Sequence, residues 1–195
     1  MILAVDTSLG TTVAVIDADG RTVAEAASPD PLGHAEVIGD LLAQVARPGI
    51  TQVVAGMGPG PFTGLRIGIA AARTFALGRG IPVIPVPSHY AVAEAATIPG
   101  RFAVVTDARR REIAVSVFDG TDADGIPNLV APTRLAPHGA ELEEPVIETV
   151  ELSASALARV GARAITAART LTGAEPLYLR SPDVVQPGAP KRVSA

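Results

Sequence analysis

The chain has 195 residues, no cysteine and a formal net charge of −4. That length allows one domain or two small ones and a core that needs no staple. The missing cysteines exclude a disulfide scaffold, thiolate zinc and a thiol nucleophile, and the acidic balance argues against a dominant nucleic-acid-binding face.

The elements read in chain order as follows. Met1 to Val5 is an apolar run ending at Asp6, which suits a buried strand, and Thr7-Ser8-Leu9-Gly10 supplies turn chemistry. Thr12 to Ile16 is a second strand, Asp17-Ala18-Asp19-Gly20 a hairpin turn, and Arg21 to Ala27 a weakly alternating third strand. A helix is predicted from Ala35 to Ala46, because Val37, Ile38, Leu41, Leu42 and Val45 recur at spacings of three and four. Arg47-Pro48-Gly49 stops it, and Ile50 to Ala55 reads as a buried strand. A long helix runs from Phe62 to Arg79 and ends at Gly80. Ile81 to Val86 is a strand interrupted by Pro82 and Pro85, hence short or near an edge. Ser88 can cap a helix that reaches Ala96 and exposes Glu94. His34 is expected to do capping or surface work, and His34, His89 and His138 are too scattered to form a metal site.

This order gives a mixed sheet with crossover helices, the layout of the ribonuclease H-like fold. The opening then recurs. Phe102 to Asp107 is again an apolar run ending in Asp, followed by a polar turn, the strand Ile113 to Phe118 and the turn Asp119-Gly120. Two related lobes are therefore expected, at 1–99 and 100–180, the second one reduced. Residues 121–150 show little periodicity beyond a short strand at Pro145-Val146-Ile147, and Ser153 to Ala168 reads as a helix. The Pro-rich stretch 181–195 is expected to be a disordered tail. Uncharged stretches such as Gly49 to Leu65 are broken by Gly and Pro, so no membrane span is expected despite a mean hydropathy of +0.34. No basic segment opens the chain and Asp6 interrupts its first apolar run, so a cytoplasmic protein is the expectation.

Three features could carry chemistry. The Gly56 to Gly64 loop is Gly-rich, but Pro59 and Pro61 lack the N–H groups that a phosphate cradle needs, so a rigid loop that sets the helix entry is the preferred reading. Asp6 and Asp107, at two strand ends, could hold hydrated Mg²⁺ near a nucleotide, although turn chemistry is the commoner use of such residues. The nuclease set of converging carboxylates is incomplete: Glu36 and Asp40 lie on the first helix, and glycine ends the fourth strand. Arg109-Arg110-Arg111 could meet phosphate, but such a run is usually just solvated. Finally, Gly64, Gly68, Ala72, Ala76 and Gly80 recur every four residues along the second helix. Glycine inside a helix costs about 0.5–1 kcal/mol relative to alanine, so close approach of another backbone must offset it. That backbone is either the chain's own sheet or a partner's helix.

ILAVDTS, HAE, GMGPGPFTGLRIGIAAARTFALG, VPSHYAVA, DARRREIAVSVF and LYLR together closely resemble the bacterial TsaB (YeaZ) family. The resemblance covers most of residues 1–118 and is patchy beyond. It departs from the family pattern at Ala35 and Pro61, which stand in place of serines, and at Arg110-Arg111. It implies an α/β fold of two ribonuclease H-like lobes of the actin/hexokinase-type superfamily. It also implies a non-catalytic subunit of the machinery that makes N6-threonylcarbamoyladenosine (t6A) in tRNA. The implied partners are a TsaD-like transferase subunit, a TsaE-like ATPase and a second copy of the chain, with tRNA met indirectly through the complex. The helix pair would form the interface through His34, Val37, Ile38, Leu41, Leu42, Val45, Leu65, Gly68 and Ala72. No cofactor is expected on this chain alone. ATP or ADP with Mg²⁺ could sit at the assembled interface, near Asp6, Thr11, Asp107 and Arg109. The alternatives are a small ATPase or phosphotransferase of the same superfamily using Asp6, Thr11 and Asp107, and a metal-dependent nuclease.

Overall fold

The structure is a computed structural model and describes residues 1–30, 32–96 and 98–180. The first hairpin joins β1 (Ile2–Asp6) to β2 (Thr11–Ile16), antiparallel from Ile2 opposite Ile16 to Asp6 opposite Thr12, and β3 (Thr22–Ser28) continues the meander. Next come α1 (His34–Val45), β4 (Gln52–Gly56), α2 (Phe62–Arg79) and β5 (Val83–Val86). β4 lies parallel to β1 and β5 parallel to β4, so each needs a crossover, and α1 and α2 supply them. The strand order is β3-β2-β1-β4-β5, the ribonuclease H-like order expected from the element pattern. β5 begins at Val83 and lies at the sheet edge, where prolines are tolerated. α2 ends where Gly80 takes a left-handed conformation, φ 63°.

Strand pleating divides the core. Leu3, Val5, Val13, Val15 and Val53 point to one face of the sheet, where α1 and α2 cover them. Ala4, Ala14, Ile16 and Val54 point to the other face, against α4 (Ala154–Thr166), and α3 (His89–Ala95) packs on α4 from the side of the second sheet. Each fully buried Val, Leu or Ile side chain stabilises the fold by about 1.5–3 kcal/mol. α4 lies close to this face because Gly161 faces Val54, where a Cβ would overlap the valine methyls. Ser153 caps α4, its hydroxyl accepting from Ala156 N–H at 3.2 Å.

The second sheet repeats the opening. β6 (Arg101–Asp107) pairs antiparallel with β7 (Glu112–Thr121), from Arg101 opposite Asp119 to Asp107 opposite Ile113. β8 (Pro127–Leu129) and β9 (Arg134–Pro137) both pair with β7, at successive stretches of it, and β10 (Val146–Glu148) runs parallel to β6. Residues 121–150 thus hold three short strands where sequence pattern gave one. Strands of three or four residues are too short to display alternation. The second sheet is a reduced copy of the first, with no helix between β9 and β10. The stretch 181–195, expected to be a disordered tail, lies outside the described residues. Among the described residues no helix is long and apolar enough to cross a membrane.

Candidate functional site

A cavity of about 500 Å³ opens between the starts of α1 and α2 and the β6–β7 turn. One wall is His34 at the start of α1 together with the 59–64 loop and the first turn of α2. The opposite wall is the β6–β7 turn, Asp107 to Arg110, and the segment 177–180 closes one side.

Asp6 does not reach this cavity. It is buried, and its Oδ1 accepts from Ser8 N–H at 2.7 Å and from the Ser8 hydroxyl. Its Oδ2 accepts from Ser88 Oγ at 2.5 Å. Burial pushes its pKa up, against the pull of the two serines. Thr11 is buried too, bonded to His34 Nδ1 at 2.8 Å. Asp107 stands exposed on the far wall, its Oδ1 accepting from Arg109 N–H at 3.0 Å. The four residues expected at a nucleotide therefore divide: Asp107 and Arg109 line the cavity, whereas Asp6 and Thr11 are sealed behind it. Asp6 and Asp107 cannot offer two open carboxylates to one cation. No group of three or more His, Cys, Asp or Glu among the described residues could hold a metal.

Three further expectations change. Ser88 makes no capping bond to its helix. Its hydroxyl ties Asp6 to the 56–61 loop instead, accepting from Gly58 N–H at 2.9 Å while it donates to Asp6. The loop is held further by Met57 N–H to the Val86 carbonyl and Ser88 N–H to the Gly58 carbonyl. That anchoring fits a rigid loop that sets the entry of α2. His34 is not a surface cap but a buried side chain within the cavity wall. Glu94 is not solvated: its side chain is 13% exposed and pairs with Arg159 and Arg163 of α4.

The helix pair needs the largest correction. Ile38, Leu41, Val45, Leu65 and Ala72 are buried in this chain's own core, and Val37 and Leu42 pack half-buried against it. Gly68 faces Thr7 and Gly64 faces His34 and the Thr7 carbonyl, too close in each case for a Cβ. The strip is thus an inward face from Gly64 to Ala76: Gly64 and Gly68 meet the chain's own β1–β2 turn, Ala72 and Ala76 lie in its core, and Gly80 alone stands open. The outer face consists of Ala35, Glu36, Gly39, Asp40 and Ala43 on α1 and Ala70, Arg73, Thr74, Leu77 and Gly78 on α2. Leu77 is 83% exposed. Gly39 and Gly78 have nothing within 4 Å of a Cβ, so no contact inside the chain accounts for them.

Two groups escaped sequence reasoning. His89 is buried between α3 and the second sheet, with Nδ1 bonded to Ser116 Oγ at 2.7 Å and Nε2 to Thr106 Oγ1 at 3.0 Å. Burial lowers its pKa to about 3, so the ring is neutral. The segment 174–180 straps across α2. Tyr178 stacks on Phe62 with centroids 4.7 Å apart and accepts from Arg66 Nε at 2.9 Å, Leu177 N–H donates to the Met57 carbonyl, and Arg180 pairs with Glu112 across the cleft. The short motif LYLR was the only sequence signal for the strap, and it carried no direction.

A family model described as TsaD, tRNA N6-adenosine threonylcarbamoyltransferase, matches residues 35–166. An uncharacterized protein of Mycobacterium leprae is 36% identical over 148 residues, which is 70% of this chain but 40% of that relative. The chain thus spans less than half the length of that relative. An uncharacterized protein of Mycobacterium tuberculosis strain H37Rv is 35% identical over 202 residues, 93% of this chain and 92% of its own. The tRNA threonylcarbamoyladenosine biosynthesis protein TsaB of Haemophilus influenzae is 47% identical over 51 residues, 25% of this chain and 22% of that protein. In fold, the chain is similar to YeaZ from Pseudomonas aeruginosa, with a TM-score of 0.75, 23% identity, and coverage of 91% of this chain and 99% of that one.

Proposed function

The chain belongs to the TsaB (YeaZ) family, whose role lies in t6A biosynthesis, and on that premise we propose that it is a non-catalytic subunit that docks on and activates a TsaD-like transferase through the outer face of α1 and α2. Its two ribonuclease H-like lobes are of the actin/hexokinase type. The observation that carries the docking reading is the pair of helical glycines with no internal contact, Gly39 and Gly78, beside the exposed Leu77. Each costs about 0.5–1 kcal/mol relative to alanine, and a second helix laid across α1 and α2 would offset that cost by close approach. A second copy of the chain would compete for this face, and a TsaE-like ATPase and tRNA would join through the transferase. ATP or ADP with Mg²⁺ would belong to the assembly. The sealed Asp6 supports a subunit without chemistry of its own rather than a phosphotransferase that uses that carboxylate.

The test mixes the purified chain with its cognate TsaD-like protein. Co-elution on size exclusion and faster tRNA modification are expected. Gly39→Arg and Leu77→Glu should abolish both without lowering the melting temperature, since neither side chain enters the core. Absence of co-elution and of stimulation in the unmodified protein would overturn the reading.

A further inference from the structure

We infer that the cavity between the lobes is a binding site for a small organic anion with a single carboxylate or phosphate head. The head would sit where the first turn of α2 meets His34. α2 has 18 residues, and its N-cap is Pro61, which offers no side-chain acceptor, so the Phe62, Thr63 and Gly64 N–H groups open the helix uncapped. The positive end of the helix dipole points the same way. Leu65 N–H is already taken by the Pro61 carbonyl and marks the limit of the donor set.

The second observation is independent of the helix. His34 is 3% exposed and lines the cavity, and its Nδ1 is engaged by Thr11. Its Nε2 has no hydrogen-bond partner among the described residues. Arg163 Nε is the one fully occluded unpartnered side-chain atom there, so His34 Nε2 keeps an opening, and the opening is the cavity. A polar ring atom held in a packed wall with nothing to bond is costly unless something fills the site. A Cβ on Gly64 would stand 2.8 Å from this nitrogen, so glycine at that position keeps the approach clear.

The rest of the lining fixes the chemical class. Arg109 faces the head from the opposite wall. Asp107 beside it is engaged by Arg109 N–H, and Arg180 is paired with Glu112. Pro59, Pro61, Ile67, Leu135 and Leu177 form apolar stretches of the lining, interleaved with Thr63, Thr106 and Arg110. That combination suits one anionic head on a partly apolar body.

The experiment titrates the isotopically labelled full chain with inorganic phosphate and, separately, propionate, against sodium chloride at equal ionic strength. Saturable shifts of the Phe62–Gly64 amides and of the His34 ring nitrogens are expected with at least one probe, and the tighter probe identifies the head. His34→Asn retains a polar atom for Thr11 and deletes Nε2, and it should weaken binding about tenfold. Arg109→Gly suits the positive φ of that residue and should weaken binding roughly threefold. If His34→Asn does not fold, the His34 ring shift of the unmodified protein and the Arg109→Gly titration decide. No saturation with either probe, or undiminished binding in the decisive variant, overturns the site.

Discussion

Helix α2 passes so close to the β1–β2 turn that a Cβ on Gly68 would overlap Thr7, whose Cγ2 would lie 2.9 Å away and whose Oγ1 would lie nearer still. Thr7 Oγ1 in turn donates to the Gly64 carbonyl at 2.7 Å, one helical turn earlier. Glycine and threonine together set how deeply the helix seats. Gly68→Ala should therefore destabilise the fold by about 1–3 kcal/mol through overpacking. Gly39→Ala, on the open face of α1, should stabilise it by about 0.5–1 kcal/mol. Urea unfolding of the two variants should give midpoint shifts of opposite sign; two shifts of the same sign would refute the division of the helices into an inner and an outer face.

His89 makes stability depend on pH. Its folded pKa of about 3 lies below the unfolded 6.5, so the unfolded chain takes up the proton first. The contribution is intact above pH 6.5 and is lost as pH falls from there towards 3, amounting to roughly 4–5 kcal/mol in full. In His89→Gln this acid-side slope should be missing. Unfolding free energies measured from pH 7 to pH 4 check it, and equal slopes in the two proteins would sink the assignment.

Asp6 has the opposite sign. Its folded pKa is raised above 3.8, so its contribution is present at low pH and is lost as pH rises through the folded value. The stability difference between the unmodified protein and Asp6→Asn should therefore move in favour of the variant as pH rises from 3.8. A difference that moves the other way would mean that the serine hydrogen bonds outweigh burial.

Tyr178 holds the strap. Tyr178→Ala removes the ring stack on Phe62 and the bond from Arg66, and should cost about 1–2 kcal/mol. Tyr178→Phe removes the bond alone and should cost about 0.5–1 kcal/mol. Hydrogen exchange at residues 174–180 should quicken markedly in the first variant and little in the second. Unchanged exchange in Tyr178→Ala would show that Leu177 and Arg180 suffice to hold the segment.

The sequence by itself determined the element order as far as β7, the repeated strand–Asp–turn–strand opening, the limits of α2 and the family. These rest on local periodicity, on turn residues and on motifs contiguous in the chain. Only the tertiary structure decided which face of a helix is inner. A strip of Gly and Ala reads the same whether a chain's own turn or another protein lies against it, and Thr7, 61 positions from Gly68, settled that here. The same reason hid Ser88 from Asp6, Glu94 from Arg163 and Tyr178 from Arg66. Each pair is joined by packing across 69 to 112 positions, a separation at which pattern in sequence carries no sign of contact.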